Sequence, residues 1–193
     1  MKEYNILVAG VGGQGVLTLA GIIARTAVNN GLDVKSSELH GLAMRFGSIR
    51  THIKISEKLD SPLISYENAD IIISNEPLEA IRAMPYAGKQ TIFVVDTKKQ
   101  VPVMAYIDKK KYPSLKEIEK ELKRVSKKVI FVNASKDAEK LGSAIMANTY
   151  LLGVLAKQKI LPFKKEDFLK TLKQVVPEKS YNDNVKIFEA GYK

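Results

Sequence analysis

An α/β fold of Rossmann-like type is predicted for this chain of 193 residues, with a mostly parallel sheet, helices on both faces and a helical C-terminal segment. Three features predict it. An apolar run, Ile6-Leu7-Val8-Ala9, enters a glycine turn, Gly10-Val11-Gly12-Gly13-Gln14-Gly15, and a helical pattern runs from Gln14 to about Asn29. Buried strand, glycine turn and helix start, in that order, open a nucleotide-binding-type βα unit. Apolar runs then alternate with helical patterns to residue 141, as parallel strands joined by crossover helices do. After Gly142 the strand signals stop. The chain therefore reads as a single domain, 1–193, with a sheet core over 1–141 and C-terminal helices over 142–193.

Each glycine of the first turn has a distinct physical use. Gly10 allows the tight turn, Gly12 leaves room for a close approach because it has no Cβ, and Gly15 lets the helix lie against the strand. The free amides and the positive dipole end at the helix start form a cradle for an anion. The same glycines would also serve plain strand–helix packing, so the ligand stays open at this level.

Gly31 is a helix stop. Asp33 to Glu38 reads as a second strand, though a poor one without an apolar body. Glu38 lies 23 residues after Gly15, where a dinucleotide enzyme would hold a ribose. From Glu38 to Ser48 the pattern is a glycine-punctuated polar loop or short helix carrying Glu38, His40, Gly41, Arg45, Gly47 and Ser48. It is expected at the mouth of the sheet, lining a ligand or subunit site, with helix capping by His40 and Arg45 as the plainer alternative. Behind it Ile49, Thr51, Ile53 and Ile55 alternate with Arg50, His52 and Lys54, as in a half-buried strand.

Asp60-Ser61-Pro62 marks a turn. Ala69 to Ser74 is a strand, and Pro77 at a first helical position opens a short helix through Met84. Thr91 to Val95 is a buried strand; Val101 to Ile107, broken by Pro102, is an edge strand or hairpin arm. Ser114-Leu115-Lys116-Glu117 fits a capping box, and the helix behind it places Leu115, Ile118, Leu122 and Val125 on one stripe. Val129 to Val132 is a strand, with a helical stretch from Asn133 to Leu141. Helices follow over Gly142–Lys157, Lys164–Val176 and Glu178–Tyr192, separated by Pro162 and Pro177. The first is apolar nearly all round, which calls for cover on two sides.

Composition excludes several chemistries. The chain has no cysteine, so it forms no disulfide, offers no thiolate to zinc and cannot ligate an ordinary iron–sulfur cluster. With only two histidines, His40 and His52, a histidine-rich metal site is not expected either. A net charge of +10 favours acidic partners or an anionic cofactor. Many lysines alternate with glutamate, as in Lys116 to Glu121, which is the pattern of a solvated helix face. No signal-peptide pattern precedes the first strand. The most apolar stretch, Ile145 to Ala156, contains Asn148 and Thr149 and falls short of the ~20 residues of a membrane span. The expectation is a buried helix in a cytoplasmic protein.

Two stretches together carry a resemblance. Gly10-Val11-Gly12-Gly13-Gln14-Gly15-Val16 resembles the GxGGQG opening of the gamma-type subunit of 2-oxoacid:ferredoxin oxidoreductases. Glu38-Leu39-His40-Gly41-Leu42-Ala43-Met44-Arg45-Phe46-Gly47-Ser48 resembles that family's second motif, in the form most similar to beta subunits of indolepyruvate:ferredoxin oxidoreductase. Phe46 departs from the pattern by replacing a small residue. The likeness in length and order covers essentially the whole chain. It implies one subunit of an enzyme that oxidatively decarboxylates aryl pyruvates to acyl-CoA and passes electrons to ferredoxin, inactive alone. It implies thiamine diphosphate and iron–sulfur clusters on a cysteine-rich partner subunit. The absence of cysteine and of a Gly-Asp-Gly…Asn-Asn diphosphate motif agrees independently.

On this basis Gly10, Gly12, Gly13, Gln14, Gly15, Arg45 and Ser48 are the expected cofactor-binding positions, with a CoA phosphate as the candidate group. Glu38, His40, Gly41 and Gly47 are the expected subunit or active-site loop; no catalytic residue or metal ligand is expected. Three other readings compete. A gamma subunit acting on pyruvate, branched 2-oxoacids or 2-oxoglutarate would share these motifs. An NAD(P)-dependent reductase would need a sound second strand and a Tyr-x-x-x-Lys pair, for which Tyr106 with Lys110 and Tyr112 with Lys116 have the spacing. A nucleic-acid module would need more than charge.

Overall fold

The computed structural model describes residues 2–41, 47–100 and 112–193. Six strands form one sheet: β1 (Tyr4–Val11), β2 (Asp33–His40), β3 (Ser48–Ser56), β4 (Ala69–Ser74), β5 (Ala87–Asp96) and β6 (Lys128–Val132). Their order across the sheet is β2-β3-β1-β4-β5-β6. β1, β4, β5 and β6 pair in parallel, whereas β3 runs antiparallel to both β1 and β2. The predicted Rossmann-like, mostly parallel architecture is therefore present, with an antiparallel hairpin at one side.

The helices are α1 (Val16–Asn29), α2 (Pro77–Arg82), α3 (Leu115–Val125), α4 (Ala134–Lys140), α5 (Ala147–Gln158), α6 (Lys165–Val175) and α7 (Glu178–Tyr192). They cover both faces because the strands are apolar on both. Ile6, Val8, Ile53, Ile71, Ile73 and Val94 point to the side packed by α1, α5, α6 and α7. Leu7, Ala9, Ile72, Phe93 and Val95 point to the opposite side, where Ala80 of α2 and Ile118 and Leu122 of α3 meet them.

Local signals account for the helix limits. α1 ends in a Schellman arrangement: Gly31, at φ 77°, donates to the Val28 carbonyl at 3.0 Å and Leu32 to Ala27 at 3.2 Å. Ser114 caps α3 and Glu117 returns to its amide at 2.7 Å, the predicted capping box. The apolar segment near residue 150 is α5, buried against the sheet and against α7, so the chain's own last helix supplies the second cover. That crossing is backbone to backbone. A Cβ on Gly153 would fall on the Phe188 carbonyl, and one on Gly191 on the Tyr150 carbonyl.

The β2–β3 region differs from expectation. β2 runs on to His40, so Glu38 and His40 sit on a strand, not in a loop, and Ser48 opens β3. The strand reads poorly because it is the sheet's edge, mostly exposed and paired on one side alone among the described residues. β3 is not half-buried at its centre: Thr51, His52 and Ile53 are all buried. His52 accepts the Ile64 amide on Nδ1 at 3.2 Å, and its ring meets Tyr86 edge-on at 4.9 Å. The loop and turn after β3 thus cover what alternation assigned to solvent. The strand expected over Val101–Ile107 lies outside the described residues.

Candidate functional site

The carboxyl ends of the parallel strands converge on a cavity of about 810 Å³. From β1 the chain turns to β3 and β2 on one side, and then returns to place β4 on the other. Open α/β sheets bind ligands at such a switch point. The cavity wall takes Gly12 to Gly15 from the turn after β1, Asn75 from beyond β4, Lys98 and Gln100 from beyond β5, and Ser135 from beyond β6. α5 adds Asn148 and Thr149, and the α6–α7 junction adds Val176, Pro177, Ser180 and Asn184.

The glycine turn is braced from within. Gln14 Oε1 accepts the Val11 amide at 2.8 Å, Gln14 Nε2 donates to the Asn75 carbonyl at 3.2 Å, and the Gln14 amide donates to the Val11 carbonyl at 3.0 Å. The Gly12 amide donates to the Gly47 carbonyl at 2.8 Å. Gly12 and Gln14 therefore shape the turn, and the donors expected of them for a ligand are already engaged. Gly13 and Gly15 have φ of +100° and +73°, which L side chains rarely adopt. Gly10 is closed in differently: a Cβ there would stand 2.7 Å from Val16 Cγ2.

What faces the cavity as a donor is the start of α1. Gly15 is its N-cap, and no side chain caps the first turn. A helix start in this state leaves backbone amides and the positive dipole end for an anion. Asn148 holds that end in place, donating from Nδ2 to the Gln14 carbonyl at 2.9 Å and to the Gly15 carbonyl at 3.2 Å. Asn75 donates in turn to Asn148 Oδ1 at 2.6 Å. Asn75 Oδ1 has no partner although the residue is only 4% exposed. That oxygen is sealed from solvent, so it is an acceptor left unmet behind the wall and not a group that faces the cavity.

Three buried carboxylates lie below the wall: Asp96, Glu76 and Glu79. Asp96 accepts from Ser135 Oγ at 2.5 Å and from the Ser135 amide at 3.1 Å, starting α4 from the end of β5. Burial pushes its pKa up, against the hydrogen bonds from Ser135 and Lys98. Glu76 caps α2, with Oε2 accepting the Leu78 amide at 2.6 Å and the Glu79 amide at 3.0 Å. Its Oε1 accepts from the Tyr112 hydroxyl and from the Gln100 amide. Burial raises the Glu76 pKa, and the Tyr112 bond works against that. Tyr112 is itself pushed well above the ordinary phenol range, by burial and then by Glu76. Glu79, paired with Arg82, accepts from Ser48 Oγ at 2.5 Å.

The predicted positions thus divide. Gly12, Gly13, Gln14 and Gly15 line the cavity and Gly10 supports them. Ser48 is tied to Glu79, Gly47 to Gly12, and neither is among the cavity's lining residues. Glu38, His40 and Gly41 are exposed at the end of β2, away from the lining residues, with His40 Nδ1 3.3 Å from the Gly41 carbonyl. Arg45 and Phe46 lie outside the described residues. Asn75, Lys98, Gln100, Ser135, Ser180 and Asn184 were not singled out by motif. Lys98, Gln100 and Ser135 follow strand ends, the place such folds put ligand groups. Asn148 did leave a signal, as a polar residue inside the most apolar stretch.

Among the described residues, no helix is long and apolar enough to cross a membrane, and no group of three or more His, Cys, Asp or Glu could hold a metal ion. Residues 5–193 match the model of the family described as pyruvate ferredoxin/flavodoxin oxidoreductase. The chain is 40% identical over 190 residues to indolepyruvate oxidoreductase subunit IorB of Archaeoglobus fulgidus, covering 98% of this chain and 94% of that one. It is 33% identical to the protein of that name from Pyrococcus horikoshii, over 100% of this chain and 96% of the other. In fold it is similar to the crystal structure of pyruvate oxidoreductase subunit PORC from Thermotoga maritima, with a TM-score of 0.74, 20% identity and coverage of 100% and 96%. With nearly its whole length matched, from the first strand to the last helix, the chain belongs to the pyruvate ferredoxin/flavodoxin oxidoreductase family.

Proposed function

We propose that this chain is the non-cluster-bearing subunit of a cytoplasmic indolepyruvate:ferredoxin oxidoreductase. The reaction breaks the bond between the keto carbon and the carboxylate of an aryl pyruvate and releases carbon dioxide. It joins the acyl carbon to the sulfur of CoA and passes two electrons to ferredoxin. Two relatives of matching length bear the indolepyruvate name, which supports that substrate over pyruvate or branched 2-oxoacids. A chain without cysteine leaves the iron–sulfur clusters to a cysteine-rich, thiamine-dependent partner.

This subunit's own part is to complete the partner's pocket and to hold an anionic group, with a CoA phosphate as the proposed ligand. The observation that carries it is the uncapped start of α1 on the cavity wall, which also bears Lys98. Backbone amides and an ammonium would bind phosphate oxygens. Arg45 is proposed as a second cation, a planar fork suited to phosphate or carboxylate.

Two measurements separate these statements. Indolepyruvate-dependent, CoA-dependent reduction of ferredoxin should require this chain and its partner together; turnover by this chain alone would reject the subunit reading. In the assembled enzyme, Lys98→Ala should raise KM for CoA about tenfold with little change in kcat, the loss of one charge-assisted contact. An unchanged KM in Lys98→Ala and Arg45→Ala would reject the CoA contact and leave the subunit assignment standing.

A further inference from the structure

The two edges of the sheet are built differently. β2, at one edge, reads Asp-Val-Lys-Ser-Ser-Glu-Leu-His and carries charges along its length, a composition that discourages pairing with another strand. β6, at the other edge, reads Lys-Val-Ile-Phe-Val. It contains no proline, and among the described residues no strand pairs with its outer side. Val129, Ile130, Phe131 and Val132 are all half-buried rather than sealed. A short, apolar, unprotected edge is a template for strand addition.

A groove of about 500 Å³ runs beside that edge, between β6 and the ends of α5 and α7. Its rim carries Lys128, Lys157 and Lys193, and no acidic residue is among its lining residues. Lys128 reaches the neutral Gln158 Oε1 at 3.3 Å, and Lys157, which donates to the terminal main-chain oxygen of Lys193, keeps further N–H donors of its ammonium. The floor is the apolar Ile130 and Val154 with Tyr150 and Gly191. The groove therefore offers backbone groups, an apolar floor and a cationic rim.

We propose that the outer edge of β6 receives an extended segment of the partner subunit, with alternating apolar and acidic side chains, as a seventh strand. Main-chain hydrogen bonds supply the pairing, the floor takes the apolar side chains, and Lys128 and Lys157 take the acidic ones. A second copy of this chain fits less well, because its own β6 edge brings a matching set of lysines and no acids. The inference concerns assembly and holds whichever 2-oxoacid the enzyme uses.

Hydrogen–deuterium exchange on the intact complex and on the separate subunit tests it. The outward amides of Lys128–Val132 should slow at least tenfold on assembly, while those of Asp33–His40 should exchange alike in both. The double variant Lys128→Glu, Lys157→Glu changes two exposed side chains and should raise the dissociation constant of the complex at least tenfold at low salt, with the difference shrinking as salt rises. Equal exchange of β6 in the two states would overturn the proposal. So would protection that appears in the free subunit with rising concentration, the mark of self-pairing, or a double variant that assembles normally.

Discussion

Asn75 Nδ2 donates to Asn148 Oδ1 at 2.6 Å, tying the end of β4 to the first turn of α5 across 73 residues of chain. Asn148 Nδ2 is turned the other way, onto the carbonyls of Gln14 and Gly15. One side chain thus joins the glycine turn, the fourth strand and the C-terminal helices at the cavity wall. Asn148→Leu keeps the branched outline of the side chain, with methyl groups in place of the polar atoms, and removes these bonds. It should cost about 2 kcal/mol in urea unfolding, because buried acceptors lose their donors while packing is kept. If the proposed CoA contact is made, the variant should also raise KM for CoA in the assembled enzyme, since the start of α1 loses its brace. Wild-type stability in this variant would show the contact to be incidental.

Gly15→Ala tests the same turn from the other side. The backbone there is left-handed at φ +73°, and a Cβ would sit 2.5 Å from Asn148 Nδ2. Gly13→Ala meets no atom within 4 Å, so only its φ of +100° opposes the change. Gly15→Ala should therefore be the more destabilising of the two, with the left-handed penalty of ~1–2 kcal/mol common to both. Equal losses in thermal unfolding would mean that Asn148 moves aside freely.

Where α5 crosses α7, Gly153 and Gly191 let two backbones touch. Alanine at 153 places a methyl on the Phe188 carbonyl, a rigid group and not the end of a flexible side chain. Gly153→Ala should cost about 3 kcal/mol and lower the melting temperature by roughly 6–12 °C for a chain of this size. Retained melting temperature would show that the helices part without penalty.

The sequence made the βα opening, the capping box at Ser114 and the three C-terminal helices legible because each rests on contacts within a few residues. The Gly10–Gly15 stretch was legible as a strand-to-helix turn for the same reason. The strand at Glu38–His40 was not legible, because it depends on pairing: Glu38 opposes Thr51 in the edge hairpin, and nothing local distinguishes that from a loop. His52 reads as solvent-facing until the segment around Ile64 and Tyr86 is seen to close over it. Asn75 and Lys98 gave no motif, since strand order alone brings them beside Gly13.

His52 should make the protein sensitive to mild acid. Burial, and then the nearby Arg50, hold its pKa below the ordinary 6.5, so the unfolded chain takes up the proton first. The linked stability is complete above pH 6.5 and is lost as pH falls from there toward the folded pKa. The raised carboxylates Glu76 and Asp96 contribute with the opposite sign, so the variant comparison is the clean one. His52→Phe should lose less stability than the wild type between about pH 7 and 5. Parallel urea-midpoint profiles would show that His52 titrates normally.

Glu76 ought to respond to pH in the reverse direction. Its carboxyl is raised by burial from an ordinary value of 4.5, so the folded protein holds the proton more tightly than the unfolded chain. The associated stability is greatest below pH 4.5 and is lost as pH rises through the folded pKa. Tyr112 opposes this, because its hydroxyl donates to the ionised form. Tyr112→Phe should therefore raise the Glu76 pKa further and move the window of stability loss to higher pH, at a cost of about 1 kcal/mol near neutrality. Glu76→Gln removes the titration but presents an amide to four donors: Tyr112, Gln100, Leu78 and Glu79. It should flatten the pH profile and cost about 2 kcal/mol at pH 7, since an amide oxygen cannot serve both pairs of donors. Carboxyl-carbon NMR titration of Glu76 in the wild type and in Tyr112→Phe reads the shift directly. A Glu76 pKa that does not move upward in Tyr112→Phe would rule out the hydroxyl as a group that holds this pKa down against burial.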